Sequence, residues 1–217
     1  MKKLTTAALI LCVLCSSCSL IGVLGTPMHS ERKIPAEFRL KDHAGEGLLV
    51  FVDTAGSSNA PLDLRARLGE SIELLLTKKA RIKKSNLVSR DNLLFLLDKG
   101  GDFARRSPVE VARQLEAGLV LYVLVENCRL TQMVEQDYYS GSLDSYGILF
   151  EVSTGRTLWP PSGRPRPVKT KVELETNGQD VTIDRLTRAM AHCIVRNLYD
   201  IPINSFKITD ERIDAGF

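Results

Sequence analysis

The sequence predicts an α/β protein: a mixed sheet of about five strands with helices packed on it, strand-helix alternation first, then an antiparallel meander and a C-terminal helix. Three observations carry this. Ser107 to Leu130 joins a helix start signal to an unbroken apolar run. Gly47 to Asp53 is a second apolar run, followed by a stripe at helical spacing from Leu64 to Leu76. Beyond Leu130 the apolar residues thin out and turn residues recur, as in half-exposed strands joined by short turns. At 217 residues and 44% hydrophobic content the chain can bury one ordinary core, so a single domain behind a leader is expected.

The leader comes first. Met1-Lys2-Lys3 is a positive start, Leu4 to Leu14 is an apolar segment too short for a comfortable membrane span, and Ser16-Ser17 precede Cys18. This resembles a bacterial lipoprotein signal peptide. In that family the cysteine after a Leu-Ala-Gly-like box is lipidated and becomes the first mature residue. Here that residue is Cys18, although Cys15 stands where the box carries leucine. The resemblance implies a signal peptide over 1–17, a palmitate-bearing lipid on Cys18 and a place in the cell envelope. Ser19 in place of a retention-type Asp implies the outer membrane, with the protein facing the periplasm. Plain secretion is the alternative. Without Lys2 and Lys3 the chain carries 27 basic against 26 acidic residues, a net charge of +1. A near-neutral chain with no basic stripe lacks the footprint of a nucleic-acid binder.

Residues 18–34 mix Gly, Pro, Ser and charges without a period and read as a flexible tether. The single α/β domain is expected over 35–200, with a C-terminal tail over 201–217. Gly47 to Asp53 is the first core strand, and Thr54 to Pro61 the loop after it. Leu64, Leu68, Ile72, Leu75 and Leu76 stripe a helix from about Leu62 to Lys79. Asn86 to Ser89 is long enough only for an edge strand, and Arg90 to Lys99 reads as a second helix, ended by Gly100-Gly101.

Ser107-Pro108 supplies an N-cap and a first-turn proline, and Val109, Val111, Ala112 and Leu115 follow at helical spacing until Gly118. Leu119 to Val125 is apolar throughout and rich in β-branched residues, as in a central strand covered on both faces. One long helix through Val125 is the competing reading, and Gly118 argues against it. Leu130–Gln136 and Tyr138–Val152 are expected as strands, with Ser153 to Arg156 a tight turn into Thr157-Leu158-Trp159. Pro160 to Pro167 is expected as loop, with a short strand around Val172 and Leu174. Ile183, Leu186, Met190, Ile194 and Leu198 share one face of a last helix, Thr182 to about Tyr199.

The leader, the strand ending in Asp53, the Leu64/Leu68/Ile72 helix, the Tyr122-Val-Leu-Val strand and the phrase Phe150 to Trp159 together resemble one group of envelope proteins. These are the curli secretion lipoprotein CsgG and the amino-terminal domain of TolB. The resemblance covers roughly Gly47 to Tyr199. It implies a domain that docks to other envelope components without catalysis. CsgG-like channels insert long amphipathic hairpins, and this chain offers no pair of segments with roughly 10 alternating apolar residues. Asn127 to Gly147, the nearest candidate, is interrupted by Arg129, Gln132, Glu135, Gln136 and Asp137, so pore formation is not carried over.

Chemical motifs are few. His29, His43 and His192 form no metal-binding or catalytic pattern, and neither Gly-x-Ser-x-Gly nor a mature Cys-x-x-Cys is present; no cofactor, metal or catalytic residue is assigned. Cys128 and Cys193 are either a disulfide or two separate buried thiols. Asp53 with Ser57 and Ser58 is the candidate ligand loop, because ligands bind at the carboxyl ends of strands in open α/β sheets, although an Asp there also caps loops. Tyr138, Tyr139, Tyr146 and Trp159 are the candidate interface aromatics. The basic run Arg164 to Lys171 reads chiefly as a solvated loop.

The function expected is non-catalytic interaction or assembly in the envelope. The partners expected are the membrane through the lipid, and other envelope proteins or copies of the chain itself. A periplasmic ligand-binding or hydrolytic domain with a site near Asp53, and a subunit of a self-assembled envelope channel, are the alternatives. Convergence of Asp53, His43 and the Ser57/Ser58 loop in one pocket is what the hydrolase requires.

Overall fold

The computed structural model describes residues 33–56, 60–98, 106–132, 138–175 and 178–202. The chain divides into Met1–Lys33 and Ile34–Phe217, and the second unit holds the sheet. The leader with Cys18, most of the tether, Ser57, Ser58 and the tail after Pro202 lie outside the described residues.

Five strands form one mixed sheet: β1 (Leu48–Thr54), β2 (Leu119–Gln132), β3 (Tyr139–Glu151), β4 (Thr157–Trp159) and β5 (Arg166–Glu175). Four helices pack on it: α1 (Leu64–Lys78), α2 (Arg90–Asp98), α3 (Pro108–Gln114) and α4 (Gln179–Val195). β1 runs parallel to β2, with Leu48 opposite Leu119 and Thr54 opposite Val125. β2 is antiparallel to β3, which carries β4 at one end of its far edge and β5 along the rest. This is the α/β architecture expected, with the meander and the C-terminal helix in place.

Two apolar layers hold it. On one face, Val50, Val52, Val123, Val125 and Leu143 meet Leu68, Ile72 and Leu76 of α1 and Leu186, Met190 and Ile194 of α4. On the other, Leu49, Phe51 and Val120 meet Leu93 of α2 and Val111 and Ala112 of α3. Alternation along β1 sends even residues to the first layer and odd ones to the second. The second layer stops partway along the sheet: on β3, Ser142, Asp144 and Tyr146 are half exposed while their neighbours Leu143 and Ser145 are buried. The full apolar run of β2 is therefore double-covered only in its first half.

α3 begins as its start signal predicts. Ser107 Oγ accepts from Glu110 N–H at 3.3 Å, and Glu110 Oε2 accepts from Ser107 N–H at 2.8 Å, a reciprocal cap. Those bonds hold the Glu110 carboxyl below its ordinary range. The helix stops earlier than Gly118, because Glu116 takes the left-handed conformation (φ 55°). Gly118 serves a different need: a Cβ there would lie 3.2 Å from Cβ of Glu46.

Three other expectations are corrected. Of the strand expected over Leu130–Gln136, Leu130 to Gln132 form the outer end of β2, which continues past a bulge between Val125 and Asn127, and 133–136 lie outside the described residues. The edge strand at Asn86–Ser89 reduces to a 3-10 turn, Lys84–Asn86, and one parallel bridge between Leu87 and Leu48. β5 is ten residues long and starts inside the proline-rich segment. Pro167 is tolerated because β5 lies at the sheet edge, where a missing N–H costs no ladder bond.

Candidate functional site

One edge of β1 faces an open cleft. Gly47 O accepts from Leu119 N–H at 2.9 Å and Ala55 N–H donates to Val125 O at 2.8 Å, so odd residues of β1 direct their backbone groups to β2. Even residues therefore direct theirs to the opposite edge. There Leu48 O takes Val88 N–H at 2.9 Å, and Arg90 then starts α2 and carries the chain away. Among the described residues no backbone group pairs with Val50 or Val52 on that edge.

A cleft of about 810 Å³ follows this edge. Leu62, Arg65, Ala66 and Gly69 of the α1 side form one wall, and Leu93, Leu94 and Leu97 of α2 form the other. Arg90 closes one end: its guanidinium reaches Glu70 at 2.6 Å and Glu73 at 3.2 Å, and Gly69 leaves room for it to cross. Arg106 and Pro108 lie at the start of α3 beside Tyr122. The rim is apolar, with Leu62 99%, Leu94 54% and Phe95 63% exposed. Three large apolar side chains around one open cleft form the kind of patch that marks a binding surface.

Asp53 lines this cleft but acts as a cap. Its Oδ1 accepts from Thr54 N–H at 2.8 Å, and Tyr122 Oη donates to Oδ2 at 3.4 Å. Burial, with the Asp53 charge beside it, pushes the Tyr122 hydroxyl up to about 12. His43 is not brought to Asp53. It belongs to the segment before β1, where Nδ1 meets Glu46 Oε1 at 2.8 Å and the ring stacks on Phe38. The span of β1 from Leu48 to Asp53, about 17 Å, separates the two neighbourhoods. The convergence a hydrolase needs is absent between these two residues. Among the described residues no three His, Cys, Asp or Glu side chains cluster as metal ligands, and no helix is long and apolar enough to cross a membrane.

The other expected site residues scatter. Cys128 and Cys193 are free thiols. Cys128 stands opposite Leu143, whereas the turn holding Cys193 lies over Gly147, where an added Cβ would meet Ile194. Four residues of strand, about 13 Å, exceed the roughly 7 Å Cα separation a disulfide spans. Burial pushes both thiols up, which disfavours the reactive thiolate. Trp159 is corrected from interface to core. It is fully buried, its Nε1 donates to Glu37 Oε2 at 2.9 Å, and Arg166 stacks 5.7 Å from its ring. Tyr138, Tyr139 and Tyr146 are half buried, with Tyr146 on the uncovered half of the sheet. Of the basic run, Arg166 bonds Glu37 and Asn197, and Lys169 pairs with Asp144.

The sequence reading missed Leu62, Leu94 and Phe95. A signal was present: Leu93 to Leu97 are five consecutive apolar residues on a short helix, and no single core can cover all sides of a helix.

No protein-family model and no curated protein matches the chain. Solved structures do resemble it, a lipoprotein among them. Lipoprotein GNA1162 from Neisseria meningitidis is 13% identical, over 70% of this chain and 99% of that one, with a TM-score of 0.46. The PelC dodecamer from Paraburkholderia phytofirmans is 13% identical over 77% and 97%, with a TM-score of 0.43. The LpoB C-terminal domain from Salmonella enterica is 23% identical over 64% and 85%, with a TM-score of 0.34.

Proposed function

We propose that this is a lipid-anchored envelope protein, held by Cys18 at the outer membrane and facing the periplasm, that binds another protein and performs no catalysis. The observation that carries the reading is the apolar rim of Leu62, Leu94 and Phe95 around the open edge of β1. Leaving such a patch in water is unfavourable, and covering it with a partner recovers roughly 25 cal/mol for each Å² of apolar surface removed from water. The anchor rests on the leader phrase Met1 to Cys18, and kinship with the CsgG and TolB group rests on the sequence phrases alone.

Chemical cross-linking in intact envelopes, with Cys18→Ala as the unanchored control, tests the reading. A discrete heteropartner, reduced in the control, supports it. A ladder of self-multiples points instead to the self-assembled alternative. Absence of any product in either form overturns it.

A further inference from the structure

The cleft is a slot along a strand edge, which restricts what can fill it. Val50, Val52 and Thr54 direct backbone groups into it, and of these the Thr54 N–H is already taken by Asp53. From Val50 to Thr54 the open edge is about 13 Å long. An unpaired strand edge is a template for another strand. Here the template is recessed between α1 and α2 and closed at one end, where Leu87 pairs with Leu48 and Arg90 bridges to Glu70 and Glu73. A second folded sheet brought up edge to edge would meet those two helices before it met β1. A single extended chain segment would not.

Resting on the protein-binding reading above, we propose that the slot receives a free extended segment of a partner protein, which adds as a strand to β1. The incoming strand lies between two walls that are apolar apart from Arg65, so most side chains on both of its faces are apolar over the slot. One alternate set meets Leu62 and Ala66, and the other meets Leu94 and Leu97. Arg65 is exposed on the α1 wall and makes no ion pair among the described residues, so an acidic side chain on the segment suits that position. The backbone of the segment supplies donors and acceptors to Val50 and Val52, which gives affinity, while the walls select the side chains.

The test uses the purified full chain in detergent and a phage-displayed library of random ten-residue peptides. Selected peptides are expected to share apolar residues over the slot with a carboxylate, and to lose at least about tenfold in affinity against Leu62→Asp, Leu94→Asp and, more weakly, Arg65→Glu. Fluorescence of buried Trp159 checks that each variant is folded. N-methylation of the selected peptide at the alternate amides that face β1 is expected to abolish binding, while methylation at the intervening amides leaves it. Binding that is lost with Leu94→Asp but indifferent to the methylation register overturns strand addition and leaves the protein-binding reading standing. No selected peptide sensitive to Leu94→Asp overturns the proposal, as does a self-dimer in sedimentation that Leu94→Asp dissociates, since a second copy then covers the face.

Discussion

Gly141→Ala is the sharpest test of how α4 sits on the sheet. A Cβ at position 141 would lie 2.7 Å from Leu186 Cδ1 and 3.1 Å from both Leu130 Cδ2 and Thr182 Cγ2. Carbon atoms in contact prefer about 3.5–4.0 Å. Leu186 and Thr182 are fully buried, so neither has open space to retreat into. Either α4 lifts from β3 or Leu186 leaves its rotamer, and overpacking of this kind costs about 1–3 kcal/mol. For a chain of this size that is a fall in Tm of roughly 2–4 °C for each kcal/mol. Urea and thermal unfolding, followed by circular dichroism and the fluorescence of the single Trp159, measure it. Gly45→Ala is the control, because nothing lies within 4 Å of its added Cβ. The double variant Gly141→Ala/Leu186→Ala should be less destabilised than the two single changes combined, by about 1 kcal/mol or more. A stable Gly141→Ala protein, or strict additivity, would refute the packing argument.

Further outcomes follow from other sites. Ser107→Ala removes one half of the reciprocal cap on α3 and should cost about 1 kcal/mol in chemical denaturation. His192 is buried, and burial, with Arg196 and Lys79 nearby, lowers its pKa to about 4 from 6.5. The native state therefore binds fewer protons than the unfolded chain between those values. Stability that is complete above pH 6.5 falls as the pH drops toward 4, by about 3 kcal/mol, and His192→Leu should flatten that part of the stability curve. Arg67 ties α1 to α4 through Asp184 at 2.9 Å and Asp180 at 3.0 Å and also holds Asp63, at the start of its own helix, at 2.6 Å; the Asp184 and Asp63 contacts raise its own pKa. Arg67→Gln leaves three carboxylates facing one another and should cost about 1–2 kcal/mol in denaturant titrations at low salt, less at high salt.

The parts of this fold that follow from local rules were legible in the sequence. The Ser107-Pro108 start, the β1 run and the Gly155 turn, which takes φ +72°, each depend on residues within a few positions of one another. The short strand expected around Val172 and Leu174 is the end of β5, and its first part was hidden because Pro165 and Pro167 read as loop, although Val168, Thr170 and Val172 alternate with Lys169, Lys171 and Glu173 as a one-sided strand does. Whether a proline is tolerated depends on which edge of the sheet it faces, and that is a tertiary fact. The cleft was hidden for the same kind of reason. Nothing within the phrase Leu87 to Arg90 says that the chain leaves the edge of β1 after one bridge, yet that departure creates the open edge. Asp53 was found at the right strand end, and its partner Tyr122, from the neighbouring strand, fixes it as a cap.

The central claim is that the face around Leu94 is covered by another protein in the cell. A photo-activated cross-linking residue placed at position 94, and in a second strain at exposed Lys169 on the opposite sheet edge, measures this directly in intact envelopes. One discrete adduct from position 94, absent from position 169, is the predicted result. No adduct at 94, or the same adducts from both positions, would contradict the account.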